Sequence, residues 1–440
     1  MRGRVRCGWI FDVIFSLVTQ VVTKIRSQVC DSAGANETGH PWAPTFATYG
    51  GAFVLGAILV SFPASSAYLK DLRGFSDMQY GSIYLPQLVT AIAGAIMGGM
   101  ASSRWDLQWL YRVSLVCFFV AQILLTLSGW MPFDIGAGTS LLLVMIATGA
   151  FGFGFGGGPL NGLVVRLFPR TPSVAITALH MCAGAGLTIA PFLMAECGHV
   201  GYWTLGPLVL AVLTLVVLVA TFIANPPSSG AVDSELPSSL SAPRDASFWC
   251  LAIAAVAYSI AEGTFSNWAI LYSRDDIHLS PTVAAATLTA FWGSLTVGRL
   301  IASVLALRVS PQPFLKILPF LMIAALLALR SVDGAVSTIG GFAAAGFACS
   351  AFFPMLVGYA AMRRSGEVSW IAATLTAAMM VGVGLGSYAI GAFRAAVGIR
   401  DLYLYAAVCP IVALASVFAA SHLGSMKGSR CWRRRVVVPR

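Results

Sequence analysis

Residues 202–224 read YWTLGPLVLAVLTLVVLVATFIA, residues 225–247 read NPPSSGAVDSELPSSLSAPRDAS, and residues 248–272 read FWCLAIAAVAYSIAEGTFSNWAILY. The first and third blocks are apolar and long enough to cross ~30 Å of hydrocarbon as helices, which takes ~20 residues each. The middle block is rich in Ser and Pro and carries Asp233, Glu235, Arg244 and Asp245. That is the composition of a flexible hydrophilic linker. Working outward, apolar runs of spanning length recur at 45–69, 79–102, 110–130, 137–165 and 173–195. Beyond the linker they recur at 282–306, 313–330, 335–361, 368–393 and 401–422. The linker thus divides the runs six and six.

Of the 440 residues, 58% are apolar and 10% charged, against roughly 25% charged in a soluble domain. Lipid as solvent removes the need for polar cover. Within lipid only helices and closed barrels satisfy their own backbone hydrogen bonds. The runs lack the two-residue alternation of barrel strands. The expected fold class is an all-α membrane protein with twelve transmembrane helices in two six-helix bundles. Its expected domains are a cytoplasmic N-terminal segment at 1–43, a first half at 44–224, the linker at 225–247, a second half at 248–422 and a basic cytoplasmic tail at 423–440. Within 1–43, Arg2, Arg4 and Arg6 precede a short apolar run that suits an amphipathic helix lying on the membrane surface.

The distribution of charge sets the expected orientation. Of 27 basic residues, Lys70, Arg73, Arg274, Arg330, Arg394 and Arg400 fall on one side and Arg299 lies within a run. All the others fall on the side of the two termini. Positive residues mark the cytoplasmic side, so both termini are expected in the cytoplasm, most simply of a cell (inner) membrane. The net charge of +10 is spread over loops and tails. No basic face forms for nucleic acid. The nine cysteines are scattered mostly in apolar runs, without CxxC or Cys/His clustering, and read as buried apolar residues rather than metal ligands. No Walker motif or nucleophile–base arrangement is present, so neither an enzyme nor an ATP-driven pump is expected, and no cofactor or metal.

The two sets of six runs resemble each other in order. Gly149, Gly152, Gly154, Gly156, Gly157, Gly158 and Pro159 in the fourth run answer Gly340, Gly341, Gly346 and Pro354 in the tenth. Gly184, Gly186 and Pro191 in the fifth answer Gly382, Gly384 and Gly386 in the eleventh. Gly99-Met100-Ala101-Ser102-Ser103-Arg104 follows the second run, and Ser303 to Arg308 follows the eighth. Parallel six-helix repeats are a transporter architecture with the solute site between them. With these features the chain resembles the major facilitator superfamily across roughly residues 45–422. Of that family's G-x-x-x-D-R-x-G-R-R signature it keeps Gly99 and Arg104, with Ser103 in place of the acid. Tyr258 to Gly263, Asn267, Trp268 and Tyr272, with Phe291 to Arg299, look like the branch containing fucose permease and related sugar carriers. The resemblance implies a secondary carrier, proton-coupled and monomeric, moving a sugar or related small metabolite by alternating access. An exporter of drugs or amphipathic metabolites shares much of the pattern and would be favoured by an apolar cavity. A non-transporting sensor would carry a large extra domain.

Among 17 acidic residues, Glu262 alone lies deep within a run. An ionisable group at that depth is a functional hypothesis by default, and burial favours the neutral form of a carboxyl. Glu262 is the candidate proton-coupling residue, with a structural hydrogen bond as the competing role. Arg299, with Arg104 and Arg308, is a gating candidate. His180 is more simply read as a hydrogen-bonded histidine than as a relay. Phe265, Asn267, Trp268, Trp292, Tyr84, Gln87 and Asn161 are candidates for a solute cavity, against the ordinary use of Trp and Tyr in interfacial belts. Gly154, Gly158, Pro159, Gly184, Gly186 and Gly384 are expected to pack or bend helices.

Overall fold

The computed structural model describes residues 42–102, 104–130, 135–168, 172–223, 246–306, 308–363 and 368–436. Twelve helices among them are long and apolar enough to span a membrane. They are α1 (Ala43–Arg73), α2 (Asp77–Ser102), α3 (Leu107–Trp130), α4 (Gly138–Leu167), α5 (Ala175–His199), α6 (Leu205–Ile223), α7 (Ala246–Asp276), α8 (Pro281–Leu305), α9 (Pro311–Arg330), α10 (Ala335–Ala360), α11 (Thr374–Phe393) and α12 (Ile399–Leu423). No strand occurs among the described residues. The expected surface helix within 1–43, apart from its last two residues, and most of the linker lie outside the described residues. The expected tail begins as helix, since the last helix continues to Val436.

Close backbone approach defines two equivalent halves. In the first, α2 packs on α4 and α1 on α5; in the second, α8 packs on α10 and α7 on α11. Glycine makes each approach possible. A Cβ at Gly154 would strike the Ala91 carbonyl, and one at Gly186 the Phe53 carbonyl. Gly346 lies in the same way against the Phe291 backbone, and Gly382 and Gly386 against Val256 and Ile260. Apolar helices gain little from burial against each other in lipid, so close packing of small residues supplies the association. Pro159 lies inside the helix of α4. Gly158 departs from its expected packing role. A Cβ there would meet nothing within 4 Å, because this face of α4 is exposed.

The halves meet along α2/α11, α5/α8 and α1/α7. On the first line Gly81 lies against the backbone of Gly391, and Gly384 against Tyr84 and Leu88. On the second, His199 Nε2 and Thr282 Oγ1 are in hydrogen-bond contact, and Gly184 lies against Thr296. Both lines start at the end that carries Lys70, Asp275 and Arg394. A continuous apolar core crosses from half to half there, with Phe62, Tyr80, Tyr84 and Leu187 from one side and Phe265, Trp268 and Tyr272 from the other. The molecule is shut at that end, where side chains of both halves pack into one core.

Candidate functional site

Glu262 lies near the middle of α7 and is 5% exposed. Its electrostatic neighbours are Arg299 of α8 and Tyr258, one turn earlier on its own helix. The two neighbours are held by a break in α10. Helix stops at Cys349 and resumes at Phe352, which leaves carbonyls without helical donors. Tyr258 donates its hydroxyl to the Cys349 carbonyl at 2.9 Å, and Arg299 donates Nε to the Ser350 carbonyl at 3.2 Å. A discontinuous helix at mid-depth exposes backbone polarity where side chains alone cannot supply it. The result is one acid and one phenol on α7 and one base on α8, gathered against the break in α10 of the second half. Arg299 therefore sits beside Glu262 and against the helix end at Ser350. It also acts on His180 of α5, across the line where the halves meet.

The other expected site residues divide into two groups. Trp268, Asn267 and Phe265 are buried in the packed end. Asn267 Nδ2 donates to Ser387 Oγ at 2.7 Å, and Trp268 Nε1 to the Ser387 carbonyl at 3.1 Å. Phe265 packs against Phe291 and Tyr403 within its own half. Tyr84 is bonded to Tyr80, whose hydroxyl donates to the Asn267 carbonyl at 2.9 Å across the halves. Asn161 bonds only to its own helix, at Gly157. Gln87, by contrast, lines a cavity of about 40 Å³ with Leu59, Phe62, Met145, Phe153 and Met380 among others. Gln87 is its one polar side chain. Trp292 keeps an indole N–H that is buried and has no hydrogen-bond partner among the described residues. Arg104 and Arg308 are exposed, each just beyond the C-terminal end of α2 or α8.

The shut end holds an ion-pair cluster that the sequence reading assigns only to loops. Its position follows from local signals. Gly74, at φ 64°, ends the last turn of α1 after Arg73. Ser76 and Gln79 then form a reciprocal cap that makes Asp77 the first residue of α2. An acid there also meets the positive end of the helix. At the equivalent end of α7, a π-helical turn over Tyr272–Asp276, closed by Ile277 N–H on the Tyr272 carbonyl, presents Arg274, Asp275 and Asp276. Arg394 follows α11. Lys70 Nζ is 2.7 Å from Asp77 and 2.8 Å from Asp275. Arg394 is 2.5 Å from Asp276 and 3.5 Å from Asp77. Arg274 is 2.7 Å from Asp275 and 2.8 Å from Asp71. The available signal was the repeat itself, since Lys70-Asp71 and Arg274-Asp275-Asp276 end equivalent helices with both signs of charge.

Solved structures share the fold. A bacterial homologue of the human lysosomal transporter Spinster, in an inward-facing and occupied conformation, superposes with TM-score 0.70 at 15% identity, over 87% of this chain and 96% of its own. A variant of the nucleoside transporter NupG gives 0.70 at 13% identity, over 86% and 99%. A D-xylose-proton symporter gives 0.68 at 13% identity, over 87% and 97%. No curated protein matches the chain in sequence. The family model described as Major Facilitator Superfamily matches residues 45–360. With the twelve helices and the two equivalent halves, that match makes this chain a member of the major facilitator superfamily of transporters.

Proposed function

We propose that the protein is a secondary active transporter that moves a small solute by alternating access and couples it to protons through Glu262. The observation that carries this reading is the buried Glu262, with Arg299 acting on it. A carboxyl in that field can exchange a proton for the guanidinium charge without leaving a bare charge in the protein. Arg299 also faces His180 across the halves, so rocking of the halves changes the charge around it. The charge bias supports reading the shut end as the outer one. The linker joins the halves on the cytoplasmic side.

The exporter reading draws on the chemistry beside Gln87 rather than on the size of the cavity, since about 40 Å³ holds little more than a water molecule. The lining there is apolar apart from Gln87. The amide of Asn267 and the indole of Trp268, which would suit sugar hydroxyls, are already bonded to α11. A mostly apolar solute with a hydrogen-bonding group suits Gln87 and the apolar side chains around it.

The test is solute movement in proteoliposomes with an imposed pH gradient, read for both sugars and amphipathic cations. Wild type is expected to accumulate its solute only with the gradient. Glu262→Gln is expected to lose gradient-driven accumulation but keep exchange of labelled for unlabelled solute. Full accumulation by Glu262→Gln would overturn the proton role.

A further inference from the structure

The cluster at the shut end has a feature that simple adhesion does not require. Each of its three bases is paired within its own half and with one acid of the other half; Arg394 has two own-half acids, since Asp275 also lies 3.8 Å from it. Lys70 holds Asp77 at 2.7 Å in its own half and Asp275 at 2.8 Å across the line. Arg394 holds Asp276 at 2.5 Å in its own half and Asp77 at 3.5 Å across it. Arg274 holds Asp275 at 2.7 Å in its own half and Asp71 at 2.8 Å across it, and also donates to the Ala67 carbonyl at 2.9 Å. We propose that this cluster is a latch that opens by partner exchange, in which each base releases its cross-half acid and keeps its own-half acid as the halves part. The proposal rests on the alternating-access reading above and names the device that times it.

The physical reason lies in burial. The Arg394 side chain is only 8% exposed, and those of Lys70, Asp77, Asp275 and Asp276 are each about a fifth to a quarter exposed. Stripping such a charge of every partner is costly. A base that keeps one carboxylate throughout never becomes bare, so the barrier contains only the cross-half pairs. Beneath the latch, the Arg394 guanidinium lies 5.6 Å from the centre of the Trp268 ring. Trp268 meets Tyr80 of the other half edge-on at 5.0 Å. Gly81 and Gly391 let the backbones of α2 and α11 touch at this level and so bring Asp77 and Arg394 together. The latch thus stands directly on the seam that must part.

Partner exchange makes a prediction that net charge alone does not. Asp71 pairs only across the halves, and Asp276 only within its own half. Asp71→Asn and Asp276→Asn remove the same charge. Asp71→Asn deletes a tie that opening must break, so it favours the open end. Asp276→Asn deletes the nearer of the two acids that Arg394 would keep, the other being Asp275 at 3.8 Å, so it favours the shut end. The experiment places spin labels at Tyr202→Cys and Val336→Cys, exposed positions on opposite halves near this end. The full chain is used in lipid nanodiscs, with the native cysteines replaced, and pulsed electron resonance reads the label separation. Ionic strength is set where wild type shows both a short and a long separation, since salt weakens such pairs. Lys70→Gln is expected to raise the long-to-short ratio about threefold, the range of partly exposed pairs. Asp71→Asn is expected to raise it by a smaller factor, and Asp276→Asn to lower it. A shift of Asp71→Asn and Asp276→Asn in the same direction overturns the proposal. So does an unchanged ratio in Lys70→Gln, or a wild type with one separation at every ionic strength. The labels read the shut end without any solute, so failure of the latch is distinguishable from failure of the transport reading.

Discussion

Ser387 accepts two hydrogen bonds from α7, one on Oγ from Asn267 and one on its carbonyl from Trp268. Both donors are buried. Ser387→Ala leaves the Asn267 amide without its acceptor at a cost of about 1–3 kcal/mol, while Trp268 keeps its backbone partner. Thermal unfolding in detergent is expected to show that loss, with Trp268 fluorescence little changed. Trp292 carries the opposite expectation. Its indole N–H bonds to nothing among the described residues, so Trp292→Phe costs little stability. If the N–H serves solute, the same substitution weakens solute affinity by roughly 0.5–1.5 kcal/mol, or two- to tenfold. Equilibrium binding together with unfolding checks both halves of that statement. Glu262 was legible in the sequence because a single acid within an apolar run stands out on its own. The partners of Trp268 and Asn267 were not, because α11 lies more than a hundred residues away and periodicity carries no information about which helix faces which.

Helix ends were the least legible elements, and they are where the latch sits. An apolar-run reading stops α1 at 69 and α7 at 272, at the first charges. The helices themselves continue to Arg73 and Asp276, because Gly74 and the π-turn, not loss of hydropathy, end them. The same limit applies to glycine. Composition marks Gly154 and Gly158 alike, yet Gly154 touches α2 and Gly158 touches nothing. An unsupported mid-helix glycine costs roughly 1 kcal/mol relative to alanine. That cost is offset if this exposed face closes against another helix in the alternate state. Gly158→Leu is then expected to fold normally and keep the shut end shut, while solute movement falls more than about tenfold. Gly391→Val acts at the other seam. A side chain there strikes the Gly81 backbone and the Asp77 carbonyl, so the label separation at Tyr202 and Val336 is expected to lengthen. Transport by Gly158→Leu at the wild-type rate would show that α4 never closes over this face.

At the scale of the whole molecule, the twelve crossings and the two halves were legible from hydropathy and repeat, since lipid imposes both on the sequence. How the halves hold together was not, because that depends on side chains brought together from opposite ends of the chain. The contacts described here let the sources be ranked. A partly exposed ion pair contributes ~0.2–1 kcal/mol, and an aromatic pair ~0.5–1.5 kcal/mol beyond its burial. Tyr80 packs on Phe62, Tyr84 and Trp268 together and also bonds to the Asn267 carbonyl. The aromatic seam should therefore hold the halves, while the ion pairs above it set how readily they part. This ranking can be tested by expressing the chain as two pieces, 1–232 and 233–440, divided within the linker. The pieces are expected to purify together through a tag on one of them, because α1/α7, α2/α11 and α5/α8 make the contact directly. Tyr80→Ala, which empties the seam, is expected to reduce co-purification strongly. Lys70→Gln is expected to reduce it little while still loosening the shut end in the intact chain. The reverse order would make the charges the main tie and the aromatic seam a filler.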